Sequence, residues 1–274
     1  MQPAQPQKLT PIRKTYIWGT EDWMLSWFNE GLEDVPLLIK IIKAREAPSV
    51  QVHPGNAFAE EKEHKSGKTE MWYVLDCEPG AYLYYGLKHK ISEDEFRKRI
   101  QNQTILEVCR KMPVKKGDVF YIPAGLLHAI GAGITVAEIQ QSSDVTYRVY
   151  DYNRENANHE KRPLHIEKAA LVAGFMPPLA GHRPMGPHIR KNGYSRTLLV
   201  QCPYFVVQLY EISESVTDDT AGGFQSLLIL GGEGVLKTRF GEMSLKAGDS
   251  IYLPKETGDY QIIGTLQLLR STAE

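Results

Sequence analysis

Short apolar runs separated by turn residues dominate the hydrophobic pattern of this chain. Runs such as PLLIKIIKA (36–44), EMWYVLDC (70–77) and VFYI (119–122) are rich in β-branched and aromatic residues, and a proline follows each of them closely. Runs of about four to eight residues with such boundaries are typical of β-strands. The sequence therefore predicts a mainly β fold.

Short helices are expected to interrupt the strands. Ser92 and Glu95 have the Ser-x-x-Glu spacing of a capping box, which favours a helix beginning just after Ser92. A second helix is expected from Thr104, so that residues of about 92–112 form a helical insertion. Two further short helices are expected in AFAEEKEHK, capped by Asn56, and in LHIEKAALVAG.

Composition and charge exclude several functional classes. The 274 residues are 42% hydrophobic and 24% charged, with a formal net charge of −1. An extended nucleic-acid surface would need an excess of basic residues. No apolar run approaches the roughly 20 residues that span a membrane, and the N-terminus is too polar for a secretory signal. We therefore expect a cytoplasmic protein that binds neither nucleic acid nor membrane.

The cysteines support the same localisation. Cys77, Cys109 and Cys202 are odd in number and lack CxxC spacing. This usage fits a reducing compartment, with the thiols as small buried hydrophobic groups rather than zinc ligands.

The segment 115–128, KKGDVFYIPAGLLH, combines a turn, a strand and a histidine. Proline and glycine break the strand after residue 122, because proline has no ladder donor and glycine permits a tight bend. His128 is thereby held just past a kink at the end of the sheet. The spacing G-x5-P-x-G-x2-H resembles the second motif of the cupin superfamily. This resemblance implies a metal-binding role for His128.

Three other residues could share that metal. Gln51 and His53 lie on the same side of the predicted strand SVQVH, and Glu70 opens a later strand. With His128 they offer two imidazoles, one carboxylate and one amide, a set that suits Zn²⁺ or another borderline divalent ion. Gln51 would be the weakest ligand. It could instead form a hydrogen bond with a ligating histidine.

The last part of the chain repeats the middle. KAGDSIYLP (246–254) matches KKGDVFYIP (115–123) in lysine, glycine, aspartate, tyrosine and proline. Two copies of one β unit are therefore present. Gln225 stands in the second copy where the first has Glu70, and Asp259 where the first has His128, so the second copy is expected to lack metal.

This repeat predicts two cupin-type β-jelly-roll domains, with the short helical insertions in the first. We expect a catalytic metal-binding domain at residues 1–178 and a smaller metal-free domain at residues 191–274. The segment 179–190, rich in proline and glycine, is expected to be the linker.

Three charged residues are further candidates for the site. Lys68 lies two residues before Glu70 and could contact an anionic substrate group or be solvated. Arg148 could pair with Asp144 or Asp151, or face the cavity as an anion binder, since an unpaired buried arginine is costly. Glu138 could be an acid on the strand surface or a proton-transfer group. Spacing alone leaves these alternatives open.

Four motifs, VQVHP, GKTEMWYVLDC, IPAGLLHAI and EIQQSSDVTYRVYDYNR, together resemble type I mannose-6-phosphate isomerases, especially the short bacterial form. The resemblance implies a zinc-dependent cupin, with one Zn²⁺ per chain, that interconverts mannose 6-phosphate and fructose 6-phosphate. It carries the zinc ligands onto Gln51, His53, Glu70 and His128. It also carries the active-site arginine onto Arg148 and supports a substrate contact for Lys68.

One departure keeps other functions open. The chain reaches VQVHP sooner than the family does after its EDWMLS-like segment, so part of the cavity wall is expected to be shorter. A sugar-phosphate-binding cupin without turnover and an iron or manganese oxygenase are the alternatives. The expected partner is a small hexose phosphate, and the oligomeric state, monomer or dimer, stays open.

Overall fold

The computed structural model describes residues 4–155, 159–179 and 182–273. This part of the chain is built mainly from strands, which confirms the predicted fold class. In chain order the strands are β1 (Gln7–Leu9), β2 (Ile12–Tyr16), β3 (Gly19–Leu25), β4 (Leu37–Ala44), β5 (Val50–Val52), β6 (Glu70–Cys77), β7 (Tyr82–Leu87), β8 (Cys109–Pro113), β9 (Val119–Ile122), β10 (His128–Ala129), β11 (Ile134–Gln141), β12 (Tyr147–Tyr150), β13 (His188–Lys191), β14 (Tyr194–Gln201), β15 (Val206–Ile212), β16 (Ser215–Asp219), β17 (Gln225–Thr238), β18 (Gly241–Lys246), β19 (Ser250–Leu253) and β20 (Asp259–Thr272).

Three short helices accompany these strands: α1 (Asn56–Glu63), α2 (Glu93–Gln101) and α3 (Ile166–Val172). The N-terminal half of the predicted capping box is confirmed, because the Glu95 amide donates to Ser92 Oγ at 3.1 Å, whereas the Glu95 carboxylate accepts from Arg99. Asn56 does not cap α1, since Gly55 holds the capping position without a side-chain hydrogen bond. In the described residues, each helix is too short and too polar to cross a lipid bilayer.

The prediction of a second helix in the 92–112 insertion is wrong. Only Ile105–Glu107 is helical, as a single 3₁₀ turn, and the chain then continues as β8. β8 pairs antiparallel with β7. The apolar spacing of this segment suits a helix locally, but pairing with a sheet edge overrides that preference.

The strands form three sheets. A six-stranded sheet has the order β2-β3-β4-β11-β6-β9, and a five-stranded sheet has the order β12-β5-β10-β7-β8. A nine-stranded sheet has the order β1-β19-β17-β20-β15-β14-β13, with β16 beside β20 and β18 beside β17.

By internal contacts the chain divides into two compact units. The central unit comprises Lys14–Glu21 and Ile41–His182, and the C-terminal unit comprises Met1–Arg13, Asp22–Lys40 and Arg183–Glu274. The central unit therefore differs in its bounds from the expected first domain, 1–178, because two N-terminal segments group with the last part of the chain. β1 explains the first of them, since it pairs with β19 and Gln7 lies opposite Tyr252.

The segment 179–190 also differs from the linker that was expected there, because much of it has regular backbone hydrogen bonds. Residues 180 and 181 lie outside the described part, but the amides of Met185 and Gly186 donate to the carbonyls of Leu199 and Leu198. β13 then begins at His188. Most of this proline- and glycine-rich segment is thus built into the C-terminal unit. The cysteine expectation holds only for Cys109, which is buried, whereas Cys77 and Cys202 are half-buried.

Two apolar clusters fix the five-stranded sheet within the central unit. One cluster joins its Leu83 and Tyr85 to Trp72 and Phe120 of the six-stranded sheet. The other packs alternate residues of the same sheet, such as Val50 and Val52, against α2 and α3. Since successive side chains of a strand point to opposite faces, Gln51 is left on the face that looks toward the six-stranded sheet.

Gly125 shapes the turn that precedes His128. Its φ of 87° lies in the left-handed region, which suits glycine. Its amide donates to the His53 carbonyl at 2.9 Å, and its carbonyl accepts from the Gly174 amide at 2.8 Å. A Cβ atom here would lie 2.9 Å from the Val172 carbonyl oxygen. The turn thus ties the backbones around both histidines together.

We expect Gly125→Ala to lower the melting temperature by several degrees. The left-handed conformation costs alanine about 1–2 kcal/mol, and the contact with Val172 adds to that cost. Gly117→Ala is the matched control, because Gly117 also has a positive φ of 91° but its Cβ would meet nothing within 4 Å. Melting temperatures are measured by thermal unfolding. An equal decrease in the two variants would contradict a role for the Val172 contact.

Candidate metal centre

One row of side chains crosses the five-stranded sheet. Gln51 of β5 lies between two partners, Arg148 of β12 on one side and His128 of β10 on the other. His128 also lies opposite Tyr85 of β7. Directly opposite residues of an antiparallel pair project from the same face. Arg148, Gln51 and His128 therefore share the inner face of this sheet.

The six-stranded sheet supplies a second row. Glu70 lies opposite Gln140, and Trp72 lies opposite Glu138, on the neighbouring strands β6 and β11. By strand alternation these four side chains point to one face. The Trp72 ring lies edge-on to the His128 ring at a centroid distance of 5.3 Å, so the two rows meet.

His53, Glu70 and His128 form a compact buried cluster. Their candidate ligand atoms all lie within 4.8 Å of one another. Glu70 Oε2 is 3.5 Å from His53 Nε2, and Glu70 Oε1 is 3.2 Å from His128 Nε2. All three side chains are at most 1% exposed. Two imidazoles and one carboxylate at this spacing could hold a metal ion.

Backbone carbonyls orient both imidazoles. His53 Nδ1 lies 2.9 Å from the Val145 carbonyl oxygen, and His128 Nδ1 lies 2.8 Å from the Leu126 carbonyl oxygen. A carbonyl only accepts, so each Nδ1 carries a proton and each Nε2 faces Glu70. Such hydrogen bonds fix the tautomer of metal-binding histidines.

Lys68 lies against the cluster and is not solvated. The residue is only 4% exposed. Its Nζ donates to His53 Nε2 at 3.0 Å and lies 2.8 Å from Glu70 Oε2. The alternative of a solvated lysine is therefore wrong.

These contacts set the charge state of the cluster. Burial and the Lys68 ammonium hold the pKa of His53 well below its usual value, so this imidazole is neutral. Burial alone would raise the pKa of Glu70, but the Lys68 ammonium, 2.8 Å from Oε2, opposes burial, and that pKa lies well below its usual value. A neutral imidazole beside an ionised carboxylate is the protonation state that metal ligation needs.

Gln51 lies beside His128 rather than at the centre of the cluster. Its Nε2 is 3.5 Å from His128 Nε2. Gln51 therefore lies at the site. Its two expected roles stay open: a metal ligand, or a hydrogen-bond partner of a ligating histidine.

Glu138 is buried, so the alternative of an acid on the strand surface is wrong. The residue is 2% exposed, and its Oε2 accepts a hydrogen bond of 2.9 Å from Trp72 Nε1. Trp72 thus bridges Glu138 and the His128 ring. Nothing in the sequence pattern singled out Trp72, because a tryptophan in an apolar run is indistinguishable from a core residue.

Within the described residues, Arg148 forms no ion pair with either expected partner, Asp144 or Asp151. Asp144 pairs instead with Lys65 at 2.6 Å. The carboxylate of Asp151 accepts from Arg154 and, through both its oxygens, from Arg162. Burial, followed by the nearby Arg162 charge, lowers the pKa of Arg148, which still stays protonated.

The segment after Asp151 holds Arg148 in place. Arg148 Nη1 donates to the Pro163 carbonyl at 3.0 Å, and its amide donates to His165 Nδ1 at 3.0 Å. Its Nε atom is buried and makes no hydrogen bond within the described ranges. Sequence reasoning missed this support, because Arg162 and Pro163 lie in an irregular stretch that carries no periodic pattern.

Three comparisons with known proteins show what this chain is similar to. The family model "Mannose-6-phosphate isomerase, cupin domain" matches residues 195–273. The chain is 40% identical over 236 residues to mannose-6-phosphate isomerase of Streptococcus mutans, covering 86% of this chain and 73% of that protein. It is 37% identical over 238 residues to a probable mannose-6-phosphate isomerase, GmuF, of Bacillus subtilis, covering 86% and 74%.

A solved structure extends the similarity to nearly the whole chain. The crystal structure of mannose 6-phosphate isomerase from Bacillus subtilis matches with a TM-score of 0.89 and 31% identity, covering 98% of this chain and 99% of that one. The sequence relatives each exceed 30% identity over more than two thirds of their length. The chain therefore belongs to the mannose-6-phosphate isomerase family of cupin-type isomerases.

Proposed function

We propose that this chain is a zinc-dependent aldose–ketose isomerase that interconverts mannose 6-phosphate and fructose 6-phosphate by proton transfer through an enediol or enediolate. The observation that carries the proposal is the buried cluster of His53, Glu70 and His128, with its ligand atoms within 4.8 Å of one another. These three side chains would hold one zinc ion per chain, with Gln51 as the fourth ligand.

The donor set fits such an ion. Both Glu70 oxygens are buried and make no hydrogen bond among the residues described, although Lys68 forms an ion pair with one of them. A buried carboxylate without hydrogen bonds is costly, and a bound cation compensates it. Two histidines and one glutamate without thiolates are also the protein ligands of known catalytic zinc sites.

Abstraction of a proton next to a carbonyl is slow because negative charge accumulates on oxygen. Bound zinc supplies a Lewis acid toward the sugar oxygens, an effect typically worth several kcal/mol. Arg148 would add a fixed positive charge from the same face of the sheet, either stabilising the enediolate or orienting the substrate. Its unused Nε–H supports this role.

Lys68 and Glu138 are proposed for anion binding and proton transfer. Lys68 presents its ammonium group directly at the cluster, within 3.0 Å of His53 Nε2, which suits binding of a substrate oxygen. Glu138 is oriented by Trp72, and a buried carboxylate held in one position is suited to moving a proton.

The function is tested by a coupled assay with mannose 6-phosphate on the zinc-loaded protein, together with metal analysis. Steady formation of fructose 6-phosphate is the expected result. Saturable binding of the sugar phosphate without turnover would instead identify a binding protein. Substrate-dependent oxygen consumption with bound iron or manganese would identify an oxygenase.

We expect His128→Ala to lose both bound metal and turnover, because it removes one of three buried ligands. Metal content is measured by atomic absorption and turnover by the coupled assay. His89→Ala is the control, since His89 is exposed and outside the cluster. Full metal content with full activity in His128→Ala would contradict the proposed site.

Arg148→Ala should lower kcat by about 10²–10³-fold, the typical cost of removing one donor to a developing oxyanion, while the zinc content stays at that of the wild type. Parallel metal analysis and steady-state kinetics check this outcome. Loss of zinc and activity together would make Arg148 a structural residue.

Asp151→Asn should lower kcat about tenfold, because Arg162 loses its charge partner and the Pro163 carbonyl no longer holds Arg148 firmly. Zinc content should not change. Asp144→Asn is the matched control, since it removes an exposed ion pair with Lys65 that contributes little. Equal kcat values for the two variants would show that the Asp151 network does not position Arg148.

A further inference from the structure

The C-terminal unit repeats the register of the candidate metal centre. Gln225 lies opposite Leu253 on β19, as Glu70 lies opposite Ile122 on β9. Gln225 also lies opposite Thr272 on β20, as Glu70 lies opposite Gln140 on β11. The sequence alignment of the two repeats therefore holds at Gln225.

One further position corresponds by the same registers. Arg270 lies opposite Leu227, as Glu138 lies opposite Trp72. At the position that the sequence repeat gives to His128, Asp259 is exposed, and the next residue, Tyr260, is buried.

These residues form a polar network instead of a metal cluster. Gln225 Oε1 accepts from Tyr260 Oη at 2.6 Å and from Arg270 Nε at 2.8 Å. Arg270 Nε also lies 3.3 Å from Asp218 Oδ2, which accepts from Tyr210 Oη at 3.2 Å. The only metal-type cluster in the described residues is that of the central unit.

A cavity of about 260 Å³ opens onto this network. Arg270, Asp218 and Gln225 line its polar part, Phe205 and Val206 line an apolar part, and Gly222 lies at its wall. The network lies at one side of the cavity. The side chains of Arg270 and Asp218 are 19% and 22% exposed, so both are accessible to a ligand. This volume is below the roughly 300 to 1,000 Å³ that is typical of pockets for drug-sized ligands, so the cavity suits a smaller molecule.

We propose that this cavity binds a neutral polyhydroxylated molecule of monosaccharide size. A guanidinium and a carboxylate side by side offer a donor and an acceptor, which matches neighbouring hydroxyl groups that both donate and accept. The lining residues include two carboxylates, Asp218 and Asp219, and one guanidinium, Arg270, so their net charge is negative. A phosphate or carboxylate ligand is therefore disfavoured. This site is separate from the isomerase centre and does not depend on its chemistry.

The test is calorimetric titration of the full-length protein with mannose, glucose and fructose, each without phosphate. At least one sugar should bind His128→Ala as tightly as the wild type, because the metal centre is not involved. Gly222→Leu should weaken that binding at least tenfold, since a Cβ at Gly222 meets nothing within 4 Å and the leucine can extend into the cavity. Gly231→Leu is the matched control, because Gly231 has equally open space but does not line the cavity.

Asp218→Asn provides a second variant that keeps the side-chain shape, and it should also weaken binding at least tenfold. A local readout comes from alkylation of Cys202, which lines the cavity: bound sugar should slow it several-fold and leave Cys77 of the central unit unaffected. Absence of binding for all three sugars would overturn the proposal. Binding that is lost in His128→Ala but kept in Gly222→Leu would also overturn it, as would tighter binding of inorganic phosphate at this cavity.

Discussion

The hydrogen bonds from two imidazoles to backbone carbonyls are the constraint on which the metal centre depends. The Val145 and Leu126 carbonyls fix the Nδ1–H tautomer of His53 and His128, and both Nε2 atoms are thereby directed at Glu70. Either ring in the other tautomer would point an N–H group at the place where a lone pair is needed. The backbone segments that carry these carbonyls thus orient the ligands of the site.

Two sheets supply the side chains of the metal centre. The five-stranded sheet carries His128, Gln51 and Arg148 in one row, and its other face packs on α2 and α3. The six-stranded sheet carries Glu70 and Glu138. Because each strand contributes only alternate residues to the inner face, a handful of polar side chains lies there within an otherwise apolar core. This arrangement places charged groups in a low-dielectric setting, where electrostatic interactions are strongest.

Local patterns predicted much of this architecture. The start of β6 at Glu70 and the kink before His128 follow from the order of apolar runs, proline and glycine within short segments. The segment after Thr104 was not predictable, because its apolar spacing fits a helix as well as a strand and only the partner β7 decides. The same holds for the burial of Lys68 and Glu138, and for the Pro163 contact of Arg148, which depend on residues distant in sequence.

The pairing of β1 with β19 has a consequence for folding. Gln7 of β1 lies opposite Tyr252 of β19, so this contact joins residues that are far apart in the sequence. Until these two segments meet, the backbone donors and acceptors of β1 are exposed to other chains. Completion of the nine-stranded sheet therefore requires closure of a long loop, which makes it a slower step than the folding of local structure.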